Sequence, residues 1–320
     1  MRRAAALLVS LLVGLAACAS LRPDLAWRSA HGRDHPLAGS VWDVAARRFL
    51  HPDTLAARLA RDRFILLGEK HDNPDHHRLQ TWVLDALIAA GRRPAVAFEM
   101  FTLDDGGKIA RYLATGARSA AGLGDAVDWS RSGWPPWSLY QPIADRALAA
   151  GLPIVAANLG PATTRAVARQ GVGALEPTLV ARLHLDRPLD APTRSQMAAE
   201  IREAHCGHAS EALLSGMIAV QRARDAQMAD RLAAAGGDGA VLIAGAGHVR
   251  TDRGVPAFLA ALVPGARVGS VAFVEVSPDA PSPEAYAMPV DYLWFTPRWD
   301  DTDPCERFRQ PLERLRERSD

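Results

Sequence analysis

A chain of 320 residues is long enough for one large domain, or one domain with an insertion, whose core needs no metal or disulfide staples. Hydrophobic residues make up 48% and charged residues 23%, which excludes disordered and fibrous classes. With 37 basic against 36 acidic residues the net charge is +1, so a nucleic-acid partner has no electrostatic support.

The amino terminus reads as an address. Arg2 and Arg3 precede an apolar stretch over 4–15, too short to span a bilayer as a stable helix, and Leu15-Ala-Ala-Cys18 follows. This order is that of a bacterial lipoprotein signal: residues 1–17 are removed and Cys18 carries the lipid, typically palmitate among its acyl chains. The alternative is an ordinary signal peptide with an incidental cysteine. Ala19, in place of an aspartate, resembles lipoproteins forwarded to an outer membrane. The expected location is the cell envelope, lipid-anchored to the outer membrane and facing the periplasm. Residues 18–60 are then the tether and lead-in segment, with Trp42 as a core anchor. That compartment is oxidising, and with Cys18 lipidated, Cys206 and Cys305 remain as an even pair. They are read as a disulfide. In the rival reading Cys206, inside His205-Cys-Gly-His208, ligates a metal, although the spacing matches no standard zinc pattern.

The spacing of Leu55 and Leu59 predicts a helix over 52–61, followed by a strand over 64–67. A loop over 68–74 leads to a helix over 75–90, with Leu79, Val83 and Leu87 on one face and Gly91 closing it. A second strand, 95–99, ends on Glu99. Residues 128–140 hold three tryptophans, two prolines and Tyr140; they form either a loop packed by its own aromatics or the apolar wall of a ligand pocket. A helix over 142–150 leads to a strand over 154–157 that ends in Asn158. From about 159 to 236 only helical patterns occur, the longest over 210–232 with Leu213, Met217, Val220, Arg224 and Met228 near one face. Strands over 240–244, 268–276 and 290–295 and a helix over 255–262 complete the pattern. The expected fold is α/β: a mostly parallel central sheet flanked by helices, with a helical subdomain inserted before the strand that leads to His248.

Two runs echo each other. Phe64-Ile-Leu-Leu-Gly-Glu-Lys-His71 and Val241-Leu-Ile-Ala-Gly-Ala-Gly-His248 each stop at a glycine and deliver a histidine three residues later. If these strands and the one ending at Glu99 are parallel, then Glu69, His71, Glu99 and His248 emerge at strand carboxyl ends, where open α/β sheets bind ligands. Neutral imidazoles and carboxylates suit zinc, manganese or iron, and a glutamate left over can act as general base for a bound water. Without metal the same residues form an acid–base pair or orient a ligand; the bland alternative makes each histidine a partner of a nearby helix start. Arg250 is either an anchor for a ligand carboxylate or one arm of a rim salt bridge. His76 and His77 are expected on the solvated face of their helix, the alternative for His76, about one turn beyond Asp72, being to lean over the site, and Lys70 is expected to point away from it.

Gly68-Glu-x-His71, Phe98-Glu-Met100, the Trp-x-x-Tyr140 stretch with Pro142 after it, His205-Cys-Gly207, Gln221-Arg-x-Arg-Asp225 with Met228-Ala229, Gly245-x-Gly-His248 and Asp303-Pro-Cys305 together resemble the ChaN family. These are haem-binding, iron-regulated lipoproteins grouped with the Tiki proteases and erythromycin-esterase-like enzymes, and the resemblance runs over about 61–308. It implies a ChaN-like α/β domain over 61–320 and a haem pocket at or near the strand ends, shared between two protomers in a homodimer. For the Tiki relatives the paired Gly-x-x-His motifs and a glutamate carry a metal-dependent peptidase site; those positions fall here on His71, His248 and Glu69 or Glu99. Haem requires an apolar slot, an axial donor and cations for its propionates. Tyr140, beside Trp134 and Trp137, is the first axial candidate, its alternative being a packed aromatic with a hydrogen-bonded hydroxyl. His71 and His248 are the other donors, and Arg250 the candidate cation. The resemblance thus implies a membrane-anchored lipoprotein of iron and haem uptake, served by an outer-membrane receptor. The alternative is a Tiki-like hydrolase using zinc or manganese.

Overall fold

The computed structural model describes residues 26–310, except 118 and 308. The signal expected over 1–17, and Cys18, lie outside the described residues. Eight strands form one sheet: β1 (Val41–Asp43), β2 (Arg48–Leu50), β3 (Phe64–Glu69), β4 (Ala95–Thr102), β5 (Ile154–Asn158), β6 (Ala240–Gly245), β7 (Val268–Glu275) and β8 (Tyr292–Thr296). Their order is β2-β1-β8-β7-β3-β6-β4-β5. All pairs from β8 to β5 are parallel, and only β1 runs antiparallel, to β2 and to β8. The sheet is therefore mostly parallel, as the sequence predicts.

Buried strands in such a sheet must be apolar on both faces. β3 is Phe-Ile-Leu-Leu before its glycine, and all its residues are buried. Because side chains alternate along a strand, Ile65 and Leu67 join a core with Val96, Phe98 and Ile243 under the helices Pro74–Ala89 and Trp137–Ala149. Phe64 and Leu66 join the opposite core, with Leu242, beneath the helices Glu211–Ala234 and Val255–Leu262. Trp42, in β1, packs into this second core.

The chain departs from expectation in three places. β1 and β2 are three residues each, too short to show a period, and were not anticipated. The helix expected from Pro142 starts at Trp137, directly after Pro136, and carries Pro142 within it, so Tyr140 lies in its first turns. Between β5 and β6 lie the helices Pro161–Gln170, Pro177–Leu183, Ala191–Ala204 and Glu211–Ala234. The last is wedged between the sheet and its neighbouring helices, so its buried positions, among them Leu214, Ile218, Asp225 and Ala229, extend beyond the single stripe expected on Leu213, Met217, Val220, Arg224 and Met228, of which Met228 is buried.

A disulfide joins Cys206 to Cys305, with the two Cα atoms 5.8 Å apart. It ties the loop after the helix Ala191–Ala204 to the carboxyl-terminal helix Pro304–Arg307. The sulfur of Cys206 is thereby used, which removes it as a metal ligand. No helix among the described residues is long and apolar enough to cross a membrane.

Candidate functional site

β6 lies between β3 and β4 in the sheet, so the three strands with functional ends are neighbours. Register places Glu69 opposite Gly245. A Cβ at Gly245 would stand 2.9 Å from His71 Nε2, so only glycine lets the imidazole lie against the β6 backbone. At Gly68 a Cβ would collide with Val249, which follows His248. The two glycines of the echoed motif thus permit close approach of the two histidine-bearing turns.

The polar groups form one connected chain. Glu69 Oε1 accepts from the Tyr140 hydroxyl at 2.8 Å and bonds His71 Nδ1 at 2.9 Å. Its Oε2 faces His77 Nδ1 at 3.2 Å, an ion-pair contact rather than an aligned hydrogen bond. His71 Nε2 stands 3.9 Å from Glu99 Oε2, which accepts the Gly245 N–H at 2.8 Å. Glu99 Oε1 lies 3.1 Å from His248 Nε2, and His248 Nδ1 reaches Asp225 Oδ1 at 2.5 Å. Gln221 Nε2 is 3.0 Å from the same Nδ1.

Burial and pairing compete at every member. Burial pushes the Glu99 carboxyl up, but His248 and His71 more than reverse this and leave it near 2. Glu69 is likewise raised by burial and brought well below the carboxylate range by His77 and His71. His248 is lowered by burial, and Glu99 and Asp225 together lift it to about 10. Asp225 is pushed up to about 6 by burial, which His248 only partly offsets. Burial and the charge on Glu69 hold the Tyr140 phenol far above its ordinary value.

Each predicted residue can now be placed. Glu69, His71, Glu99 and His248 converge. Tyr140 joins them, but fully buried and donating to Glu69. Trp134 is half-buried and stands edge-on to His71, ring centres 4.8 Å apart. Trp137 instead packs on Trp129 and Phe101 and donates its indole N–H to Ala120 O. The tryptophan stretch is therefore self-packed at Trp129 and Trp137, and forms a cavity wall at Trp134. Arg250 is buried and forks onto Asp252 at 3.0 and 2.7 Å, the salt-bridge arrangement. Lys70 does point away, to Glu275 at 3.1 Å and Asp72 at 3.3 Å.

His76 and His77 correct the expectation of a solvated face, since both are buried. The first turn of their helix is tucked under β8 and the β3 turn: His76 meets the Thr296 hydroxyl at 2.9 Å, and His77 Nε2 meets His71 O at 2.9 Å. Asp225, to which the sequence alone assigns no role, orients His248. Its signal was its place on the helix, seven residues after Ile218 and seven before Leu232, both buried. Among the described residues no three histidines, cysteines or acids are grouped so as to hold a metal ion. The imidazole nitrogens face carboxylates instead.

Two cavities flank Trp134. One, of about 790 Å³, has an apolar wall of Trp134, Pro135, Pro136, Leu139 and Trp299, with Arg28 and Arg307 on its lining. The other, of about 530 Å³, opens at the carboxyl ends of β4 and β5.

A parallel sheet whose strand ends carry buried, mutually paired histidines and acids beside an aromatic-walled cavity defines an α/β protein with its site at the carboxyl edge. Residues 55–259 match the family described as haem-binding uptake, Tiki superfamily, ChaN, and the chain belongs to that family. Among solved structures the fold is similar to one described as cofacial haem binding to ChaN of Campylobacter jejuni, at 20% identity and a TM-score of 0.63, over 79% of this chain and 95% of that one. A weaker likeness is to the type III effector HopBA1, at 14% identity and a TM-score of 0.40, over 77% and 93% of the two chains. A succinoglycan biosynthesis protein follows at 12% identity and 0.36, over 70% and 68%. No curated protein matches the sequence.

Proposed function

We propose that this protein binds haem in the cavity walled by Trp134, as a carrier in haem uptake. The family supports haem as the ligand, and one observation carries the location: a cavity of about 790 Å³ faced with Trp134, Pro135, Pro136, Leu139 and Trp299 and bordered by Arg28 and Arg307. A flat apolar ring needs such walls, and its propionates need such cations. Trp299 is 45% exposed, and a bound porphyrin would cover it.

The iron donor comes from the Glu69 cluster just behind Trp134. His71 is the favoured group, because its side chain is 31% exposed while Tyr140 is sealed. With its Nδ1 held on Glu69, His71 has Nε2 as the remaining donor, the arrangement that fixes an axial imidazole. Tyr140 is the second candidate and must first leave Glu69. Anchoring through lipid on Cys18, delivery from an outer-membrane receptor and sharing of the pocket in a homodimer belong to the same reading.

The convergence of two histidines and two glutamates favours a second reading, a metal-dependent hydrolase with zinc or manganese. In that reading His71, His248 and Glu69 or Glu99 would have to exchange their mutual contacts for the ion. Haemin titration of wild type and Trp134→Ala separates the two. The carrier reading expects saturable binding, weakened at least about tenfold in the variant by loss of the stacking wall. Unchanged affinity in Trp134→Ala would remove haem from this cavity, and stoichiometric zinc or manganese in the purified protein would favour the hydrolase.

A further inference from the structure

The second cavity beside Trp134 differs in its charges. Two of its three acids are already occupied: Asp128 accepts from Lys108 Nζ at 2.9 Å, and Asp105 accepts the Thr102 N–H and hydroxyl while standing 3.6 Å from the same lysine. Asp104 lies against the Gly160 backbone so closely that a Cβ there would strike its carboxylate. Its other cations are not occupied. Arg131, Arg165 and Arg224 all line the cavity, and none of their side chains has a hydrogen bond or ion pair among the described residues, the Arg131 guanidinium feeling only the longer-range charge of Asp128.

Arg224 is the most informative of the three. It lies within the helix Glu211–Ala234, one residue before Asp225, and its Nε is buried with no acceptor. Buried polar hydrogens are nearly always satisfied, so an orphan that lines a cavity points to a ligand. Asn158, at the end of β5, adds a second spare donor: its Oδ1 accepts the Leu159 N–H, and its amide nitrogen has no partner among the described residues.

We propose that this cavity binds a small organic polycarboxylate, separately from haem. Arg131, Arg165 and Arg224 reach the lining from three different elements. Each guanidinium fork matches one carboxylate. Met100, Val127, Trp134 and Leu159 on the same lining suit a carbon skeleton between those charges. The assignment stands on these residues and not on the haem cavity.

Calorimetric titration of the haem-free full chain with citrate, and with inorganic phosphate, tests this. Citrate is expected to saturate, to bind at least about tenfold more tightly than phosphate, and to weaken as salt is raised. Arg224→Gln and the exposed Arg165→Gln are each expected to weaken citrate at least about tenfold, while Arg28→Gln in the other cavity leaves it unchanged. Arg224→Gln without citrate is expected to melt no lower than wild type, because it removes an unmet buried N–H, yet to lose the citrate-induced rise in melting temperature. Failure of citrate to saturate, equal binding of phosphate, or undiminished binding in both arginine variants overturns the proposal. Displacement of citrate by haemin overturns its separateness, and indicates that the porphyrin carboxylates occupy these arginines.

Discussion

Tyr140→Phe probes the buried chain at one atom. The ring stays in place against His77, 4.4 Å away between centres, and Trp129, 5.1 Å away, so packing is kept. What goes is one hydroxyl donor to a buried carboxylate, a bond worth about 1.5–3 kcal/mol when the acceptor is charged. Glu69 keeps His71 at 2.9 Å and His77 at 3.2 Å, so the charge is not abandoned and the loss belongs at about 2 kcal/mol rather than the upper end. Removal of the donor also lets the Glu69 carboxyl climb toward its ordinary range. Urea unfolding of wild type and variant at neutral pH, analysed at a common slope, measures the difference. A change below about 0.5 kcal/mol would mean that Glu69 does not depend on this hydroxyl, and the account of the site's electrostatics would fail with it.

Stability should peak on the acid side of neutrality. Glu99, lowered from 4.5 to about 2, contributes fully above the unfolded value and loses that contribution as pH falls through 2. His248, raised from 6.5 to about 10, contributes fully below 6.5 and loses it as pH climbs through 10, while Asp225, raised from 3.8 to about 6, loses its own share as pH rises through 6. Urea midpoints across the pH range should therefore be highest at about pH 4 to 4.5, and a maximum on the alkaline side contradicts this. Reduction of the Cys206–Cys305 bridge, or the double serine variant, should cost about 2–5 kcal/mol by the same assay, since it releases a long loop; no change would mean that the bridge does not constrain the unfolded chain. Gly245→Ala should push His71 off the β6 backbone and destabilise by about 1–3 kcal/mol, with a displaced His71 imidazole resonance, and an unmoved resonance counts against the close approach.

The sheet was legible where its strands are long and uniformly apolar. Phe64-Ile-Leu-Leu and Val241-Leu-Ile-Ala read as central strands because both faces are buried, and their terminal glycines marked the turns that bear His71 and His248. The pairing of these turns with Glu99 followed from strand adjacency. What escaped was whatever depended on a distant element. β1 is defined by β8, almost the whole chain away, and three residues show no period of their own. His77 looks solvated on its own helix, and only the packing of Tyr140 over it and of Glu69 beneath it makes it buried. Asp225 was hidden among arginines, although its spacing from Ile218 and Leu232 placed it on a buried face. The cavity lined by both Trp134 and Trp299 likewise depends on bringing together residues far apart in the chain, which local sequence does not fix.

The central claim is that haem occupies the Trp134 cavity with its iron donor drawn from the Glu69 cluster. Absorbance titration with haemin of the chain lacking residues 1–17, on wild type, His71→Ala and Tyr140→Phe, tests it most directly. The account predicts a saturable Soret band whose position shifts in His71→Ala and is kept in Tyr140→Phe. A shift in Tyr140→Phe alone would move the donor to the phenol, and the absence of saturable binding in wild type would contradict the haem-carrier account.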